Sequence, residues 1–329
     1  MHRVAVIGAG TMGRTHSGAY AEMPDAELVA VMDSRPEAAE EIANTHSARA
    51  YSSIDKLLSE EDVDVIDVCT PTPSHLDYIK AAAAAGKHVC SEKPLARTIG
   101  HAQEAVRACE EAGVVLFVAQ VVRWFPEFRK LHDLIEAGAV GDPVVVRTSR
   151  GGAFPRGVDD WFANMKSSGG VVMDLMVHDF DWLQWCFGRV KRVYARGLYQ
   201  SRLTLTDYAL VTLRFENGVV AHVEGNWARP TGFSTSVEVA GTRGLLSFSS
   251  DDSVPLRIER KAESDAGAGV TVPSSPTSVS PYYLELEHFI DCLEKGRTPD
   301  VTPQDGLEAV RIAESALRSI SSGQPVGLA

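Results

Sequence analysis

A ten-residue stretch near the amino end decides the fold: Val4-Ala5-Val6-Ile7-Gly8-Ala9-Gly10-Thr11-Met12-Gly13. Its first four residues are an uninterrupted apolar run, which is typical of a strand buried on both faces of a parallel sheet. The glycines that follow have the spacing G-x-G-x-x-G and lead into a helical pattern that begins at Thr11. A strand, a glycine-rich turn and a helix in this order predict a dinucleotide-binding Rossmann domain.

The glycines and the next strand end have distinct predicted roles in binding a dinucleotide. Gly8 permits a tight turn, Gly10 lets the backbone approach the pyrophosphate, and Gly13 lets the helix pack closely on the strand. Asp33 ends the second apolar run, where its carboxylate can accept hydrogen bonds from a ribose and repel a 2′-phosphate. NAD is therefore the expected cofactor, and Arg35 leaves NADP possible. The predicted binding residues of these segments are Gly8, Gly10, Thr11, Met12, Gly13, Asp33 and Arg35.

The first 120 residues alternate short apolar runs with helical patterns. The runs are Val4–Ile7, Leu28–Met32, Val63–Val68, His88–Cys90 and Val114–Ala119, and the helical patterns cover Thr11–Met23, Pro36–His46, Ser74–Ala85 and Ile99–Ala112. This alternation predicts an α/β fold with a doubly wound parallel sheet.

The pattern changes after Arg123, where strands with period-two alternation and hairpin turns become frequent. One long helical pattern covers Gly170–Phe187, and Ala262–Pro281 has the composition of a surface loop. These features predict an α+β domain with a largely antiparallel sheet. We therefore expect two domains, residues 1–122 for NAD(P) binding and residues 123–329 for substrate binding and oligomerisation.

Two loops that follow predicted strands carry candidate functional groups. Ligands of open α/β sheets bind outside the carboxyl ends of the strands. Lys93, held extended before Pro94, can polarise an alcohol or carbonyl oxygen and relay its proton. Judged from its local chemistry alone, Lys93 is better explained as a solvated surface lysine. The residues of these loops predicted to contact the cofactor are Thr70, Pro71, Thr72, His75, Glu92 and Lys93.

A third candidate lies in the predicted helix of the second domain. Asp174, His178 and Asp181 have the spacing i, i+4 and i+7, which places them on one helical face. A histidine with a carboxylate one turn away can act as an acid–base pair, and the alternative is a hydrogen-bonded core pair. The segment has no H-E-x-x-H pattern and the five cysteines are scattered, so no metal site and no disulfide framework is expected.

Three residues after the Rossmann pattern are candidates for substrate binding. Arg123 can bind substrate oxygens or pair with an acidic residue. Trp161 can stack on a sugar face, and Asn164 can contact hydroxyls. A packed loop explains each of these last two residues as well.

Taken together, these elements resemble the glucose–fructose oxidoreductase, inositol dehydrogenase and MocA (Gfo/Idh/MocA) family. The resemblance is carried by Val6–Gly13, Glu92-Lys93-Pro94, Gly169–Asp181, Tyr283–Phe289, Gly296-Arg297-Thr298-Pro299 and Asp305-Gly306. It implies an NAD(P)-dependent dehydrogenase that transfers a hydride between nicotinamide and a secondary alcohol or ketone of a sugar, inositol or related polyol. It also implies a cis peptide bond at Lys93–Pro94.

The resemblance assigns catalysis and substrate binding to Lys93, Asp174 and His178. In this scheme His178 accepts the proton of the substrate hydroxyl, Lys93 hydrogen-bonds the same oxygen, and Asp174 orients the pair. The roles of Lys93 and His178 are open to exchange. Two alternatives keep the fold: an enzyme that uses NAD to cleave glycosidic bonds, and a non-catalytic NAD-responsive regulator.

Bulk properties exclude several classes of partner. The net charge is −12, and no run of Lys and Arg suggests a nucleic-acid binder. No apolar run approaches the roughly 18 residues of a membrane helix, and no signal peptide is visible. We therefore expect a cytoplasmic protein with a small-molecule substrate. A sheet with one uncovered face further predicts a homodimer or homotetramer.

Overall fold

In the computed structural model, the described residues are 1–198, 207–230, 232–252 and 279–328. They divide into two compact units. The first contains residues 1–124 and 279–310, and the second contains residues 125–198, 207–230, 232–252 and 311–328. Most of the loop predicted at Ala262–Pro281 therefore lies outside the described residues.

A six-stranded sheet forms the centre of the first unit. Its strands are β1 His2–Ile7, β2 Ala26–Met32, β3 Arg49–Tyr51, β4 Val65–Val68, β5 His88–Glu92 and β6 Leu116–Ala119. The helices between them are α1 Thr11–Glu22, α2 Pro36–His46, α3 Ile54–Glu60, α4 His75–Ala84 and α5 Ile99–Ala112. The strand order is β3-β2-β1-β4-β5-β6 and every pairing is parallel. The predicted doubly wound parallel sheet is confirmed.

Burial explains why the strands of this sheet are so apolar. Every residue of β4 and β6 is buried, and so are the last four residues of β1. Strands that are covered on both faces have no solvent side on which polar residues could alternate. The sequence patterns did not predict β3 and α3, which are only three and seven residues long.

The second unit contains a seven-stranded sheet and its helices. Its elements begin with α6 Pro126–Glu136, β7 Pro143–Gly152, α7 Met165–Ser168, α8 Gly170–Asp174 and α9 Val177–Phe187. The strands that follow are β8 Val190–Leu198, β9 Tyr208–Phe215, β10 Val220–Asn226, β11 Phe233–Gly241 and β12 Leu245–Ser249. The chain continues with α10 Pro281–Lys295, α11 Pro303–Ser322 and β13 Val326–Gly327. The sheet order is β12-β11-β7-β10-β9-β8-β13, and only β7 and β10 pair in parallel. The largely antiparallel sheet is confirmed.

Helix α10 belongs to the first unit although it follows the second sheet in the chain. The ring of Phe289 stacks on Phe117 of β6 with centroids 5.1 Å apart, and Leu286 is fully buried. The domain predicted over 123–329 placed this helix with the second sheet. Its apolar face instead completes the core beside β6.

Candidate functional site

The glycine-rich loop between β1 and α1 can be built only with glycine at two positions. Gly8 has a φ of +105°, and a Cβ there would lie 2.6 Å from the carbonyl oxygen of Cys69. A Cβ on Gly13 would lie 1.7 Å from the carbonyl oxygen of Gly8. The predicted tight turn and the close packing of helix on strand are both present, because neither position has room for a side chain.

Gly10 differs from the other two glycines because it faces open space. Apart from its own chain neighbours, no heavy atom of the described residues lies within 4 Å of the position that its Cβ would take. Gly10 is also the N-cap residue of α1, whose first turn receives no side-chain cap. An open backbone at the start of a helix suits a pyrophosphate, which the N–H groups and the helix dipole stabilise. The loop therefore fits a dinucleotide.

Asp33 follows β2 and holds the glycine-rich loop. Its Oδ2 accepts the Ala9 N–H at 2.7 Å, and its Oδ1 accepts the Arg35 backbone N–H at 2.9 Å. The Arg35 guanidinium donates to both carboxylate oxygens, at 3.1 and 3.2 Å. Burial alone would raise the pKa of Asp33, but the hydrogen bonds from Arg35 and Ala9 bring it below its ordinary value. The carboxylate stays charged beside the loop, as ribose recognition requires.

The loop after β4 is tied to the loop after β5 by His75. The Nε2 of this buried imidazole lies 2.8 Å from the carbonyl oxygen of Thr70, and its Nδ1 lies 3.0 Å from that of Pro94. Burial lowers the pKa of His75. Thr72 is buried in a short 3₁₀ turn, whereas Pro71 is exposed. His75 was predicted to contact the cofactor. In the structure its ring contacts backbone carbonyl groups of the two loops in the first unit.

Glu92 and Lys93 lie at the carboxyl end of β5. The Lys93–Pro94 peptide bond is cis, as the resemblance implied. The Glu92 Oε2 accepts the backbone N–H of Lys93 at 2.9 Å, and the lysine is half-buried. Because β5 pairs with β4 and β4 with β1, Lys93 lies on the same edge of the sheet as the glycine-rich loop.

Asp174 and His178 belong to the second unit, where the structure corrects the predicted single helix. The N–H groups of Leu175 and Met176 both donate to the carbonyl oxygen of Val171, at 3.0 and 2.9 Å. This widened turn separates α8 from α9. Asp174 ends the first helix and His178 is the second residue of the next, so the single helix predicted over Gly170–Phe187 is interrupted between them. Both side chains are half-buried.

A buried ion pair beside this segment was missed by the sequence analysis. The guanidinium of Arg150 on β7 donates to Asp179 on α9 from Nε at 2.7 Å and from Nη2 at 3.3 Å. Both side chains are almost completely buried. The spacing that selected Asp181, which is also buried, passed over Asp179. The one sequence signal for this pair was the period-two alternation of β7. It places Arg150 on the buried face of the strand, where a charged side chain needs a partner.

The predicted substrate residues fall in different surroundings. Arg123 is 2% exposed, donates to the carbonyl oxygen of Asp300 at 3.0 Å and lies 3.5 Å from a carboxylate oxygen of Asp305. This placement supports the ion-pair alternative for Arg123. Asn164 is exposed, but its Oδ1 accepts the Lys166 N–H at 3.0 Å and caps α7.

Trp161 lies in a turn with unusual backbone. The two preceding residues, Asp159 and Asp160, both have left-handed φ values, 55° and 48°. The Trp161 ring lies 4.0 Å from the ring of Phe162, which in turn packs edge-on against Trp227. Trp161 is half-buried, so part of its ring remains available to a ligand.

A further group of polar residues lies inside the first unit. Ligand atoms of His16, Asp67 and Cys90 come within 4.8 Å of one another, and all three residues are buried. Such atoms can hold a metal ion, but the His16 Nδ1 and an Asp67 oxygen already form a hydrogen bond of 2.8 Å. The only sequence signal was a histidine three residues after Gly13.

Within the described part of the chain, no helix combines the length and apolar character needed to cross a membrane.

The chain matches known proteins over both units. Residues 2–120 match the oxidoreductase family with an NAD-binding Rossmann fold, and residues 128–247 match the GFO/IDH/MocA C-terminal domain.

Individual relatives extend along the whole chain. An uncharacterized oxidoreductase, YrbE of Bacillus subtilis, is 30% identical over 98% of this chain and 95% of its own length. Myo-inositol 2-dehydrogenase of Thermotoga maritima is 28% identical over 99% and 98%. The crystal structure of GenD2 from gentamicin A biosynthesis, solved with NAD, has a TM-score of 0.89 and 27% identity and covers 100% of this chain and 96% of GenD2. The chain is thus an NAD-binding dehydrogenase and belongs to the Gfo/Idh/MocA family of oxidoreductases.

Proposed function

We propose that the chain transfers a hydride between NAD and a secondary alcohol or ketone of a sugar, an inositol or a related polyol. Support comes from the full-length similarity to a relative named as a myo-inositol 2-dehydrogenase. The pocket candidates are mixed polar and aromatic, a combination that suits a neutral polyhydroxylated ligand. A cytoplasmic location belongs to the same proposal.

The observation that carries the proposal is the position of Lys93. It follows β5 directly, at the edge of the sheet where the glycine-rich loop opens, and Glu92 fixes its backbone N–H. A dinucleotide on that loop extends along the carboxyl ends of the strands. An ammonium group there can hydrogen-bond the oxygen of an alcohol and stabilise negative charge that develops on it.

The acid–base roles are proposed as follows. Bound NAD would supply the acceptor for the hydride that leaves the alcohol carbon. His178 takes the hydroxyl proton, Lys93 hydrogen-bonds the oxygen, and Asp174 favours the charged form of the imidazole. The first two roles can be exchanged, since both groups can hold the proton. Trp161 is proposed to stack on the substrate ring.

The activity test follows NADH formation by its absorbance. The purified chain is supplied with NAD and, in turn, inositols, aldoses, ketoses and glycosides. We expect NADH from at least one polyol or sugar, without glycoside cleavage. Failure with every compound, despite NAD binding measured by calorimetry, contradicts the proposed activity and favours a regulatory role.

Replacement of the proposed catalytic groups sharpens this test. Lys93→Met and His178→Ala are each expected to lower kcat by at least about 100-fold, which is the usual contribution of a positioned acid or base. Lys80→Met is the matched control, because Lys80 is an exposed lysine of the same unit that pairs with Glu104. Wild-type kcat in either of the first two variants overturns the assignment.

The preference for NAD over NADP is proposed to depend on Asp33. Asp33→Asn keeps an oxygen that can accept the Ala9 N–H but removes the charge that repels a 2′-phosphate. We expect the ratio of kcat/KM for NAD over NADP to fall by about tenfold, or ~1.4 kcal/mol. The steady-state constants for both cofactors measure the ratio. A wild-type enzyme with the higher kcat/KM for NADP contradicts this proposal.

A further inference from the structure

A histidine is enclosed by acidic side chains inside the first unit. His16 lies on α1, six residues after Gly10, and its side chain is fully buried. Asp67 of β4, Glu92 of β5 and Glu285 of α10 are buried around it. The acid–base roles proposed above use none of these four residues, and buried charges are rarely kept without a partner.

The contacts connect this histidine to the backbone of Lys93. The His16 Nδ1 forms a hydrogen bond of 2.8 Å with the Asp67 Oδ2. Its Nε2 lies 3.4 Å from the Glu92 Oε1, an ion-pair distance without hydrogen-bond geometry. The other oxygen of Glu92 accepts the Lys93 N–H at 2.9 Å. One line of side chains therefore runs from β4, through α1, to the residue that begins the cis peptide.

The charges in the cluster favour a protonated imidazole. Burial by itself lowers the pKa of His16, but the Cys69 sulfur and the Asp67 carboxylate raise it well above its ordinary value. Burial raises the pKa of Glu285 strongly, and neither of its oxygens has a hydrogen-bond partner among the residues that the structure describes. Burial thus favours the neutral form of Glu285, whereas the neighbours of His16 favour its charged form between Asp67 and Glu92.

We propose that His16 is a positioning residue for Lys93: held by Asp67, its imidazole fixes the Glu92 carboxylate, which in turn fixes the peptide N–H of Lys93. The inference rests on the proposed role of Lys93 in hydride transfer. Without the imidazole, the Glu92 carboxylate faces the acidic groups of Asp67 and Glu285 and loses its contact with His16. The backbone at Lys93 then loses its fixed geometry, while the geometry of the glycine-rich loop stays unchanged.

The first test compares two histidine replacements. His16→Gln is expected to lower kcat between about tenfold and 100-fold, the usual cost of misplacing a reacting group. The NAD dissociation constant should change less than about threefold. His88→Gln is the control, because His88 is a partly buried histidine on β5 that accepts the Val115 N–H at 3.1 Å and makes no contact with Glu92 among the contacts described. Equal kcat values for both variants overturn the inference.

A double replacement separates this inference from the proposed function. In Lys93→Met, which has no amine to position, adding His16→Gln should cause no further loss of kcat. An additive loss shows that His16 acts elsewhere and overturns the positioning role. If Lys93→Met itself keeps wild-type kcat, the proposed function fails instead. If Lys93→Met is inactive and His16→Gln is fully active, only the positioning role fails.

Asp67→Asn gives a second route if His16→Gln does not fold. The amide oxygen still accepts a hydrogen bond from His16, but the lost charge lowers the pKa of the imidazole. The titratable groups that face this cluster are Tyr20 of α1, Asp67 of β4, Cys69 directly after β4, Cys90 and Glu92 of β5, and Tyr282 and Glu285 of α10. The proposed role needs the charged imidazole, which is lost as the pH rises. The decline of kcat with rising pH should therefore begin at a lower pH in Asp67→Asn than in the wild type. An unshifted pH profile contradicts the inference.

Discussion

At the scale of single residues, the buried carboxyl of Glu285 makes the fold sensitive to pH. Burial raises its pKa in the native state, whereas the unfolded chain ionises it near its ordinary value. Between these two values the native state holds one more proton than the unfolded state. The stability contributed by this group is therefore complete below the unfolded pKa and is lost as the pH rises toward the native pKa.

Glu285→Gln is expected to remove this loss. The amide has nearly the same shape and never ionises, so the free energy of unfolding should fall less steeply with rising pH in the variant. The difference in slope is at most about 1.4 kcal/mol per pH unit. Denaturant unfolding from pH 5 to pH 8 measures it, with Glu104→Gln as an exposed control on α5. Parallel stability curves for wild type and Glu285→Gln would show that the carboxyl is not held neutral.

At the scale of elements, β7 and α9 are joined by the buried pair of Arg150 and Asp179. The central carbon of the guanidinium also lies 5.4 Å from the ring centre of Phe128. The edge of the guanidinium therefore contacts Asp179, and its face contacts the phenylalanine ring. The attraction between buried charges is offset by their desolvation, but a charge left alone is costly. The pair therefore matters most when one partner is removed.

Arg150→Met and Asp179→Leu should each cost about 3–5 kcal/mol of stability, and the double variant should cost less than either. Arg147→Met is the control on the same strand, because its pair with Glu238 is exposed and should contribute at most about 1 kcal/mol. Denaturant unfolding gives all four values. If the single losses simply add in the double variant, the two side chains do not stabilise each other.

The element scale also shows what sequence patterns can and cannot predict. Apolar runs and glycine spacing predicted β1, α1 and the position of Asp33, because these signals are local. The break between α8 and α9 was not predicted, since Leu175 and Met176 are ordinary helix formers and the widened turn depends on packing. The hydrogen bond from the Lys93 N–H to the Glu92 carboxylate is local, yet the contact of His16 with Glu92 joins distant positions and has no sequence signature.

At the scale of the whole molecule, the second sheet has a face that its helices do not cover. Along β9 the buried residues alternate with more exposed ones. Leu210 is 41% exposed and Leu245 is 57% exposed, and the strand register places both on this face. The Arg147–Glu238 pair lies between them. We propose that this exposed face, with its two leucines, is an interface between copies of the chain.

We therefore predict a homodimer or a homotetramer that uses this face. Replacing both Leu210 and Leu245 with Asp should shift the mass in light scattering toward the monomer, because two charges would be buried without partners. Val158→Asp is the control, since Val158 is an exposed apolar residue of the second unit that begins a short 3₁₀ helix outside the sheet. A monomeric mass for the wild-type chain contradicts the prediction.

The packing of α10 in the first unit has a consequence for folding during translation. On the ribosome, β6 emerges about 160 residues before α10, and at about 5–20 residues per second this delay lasts about 8–30 s. During that time the aromatic surface around Phe117 lacks the helix that covers it in the finished protein. Until α10 has been translated, the nascent chain thus exposes an apolar surface of the incomplete first unit to which chaperones can bind.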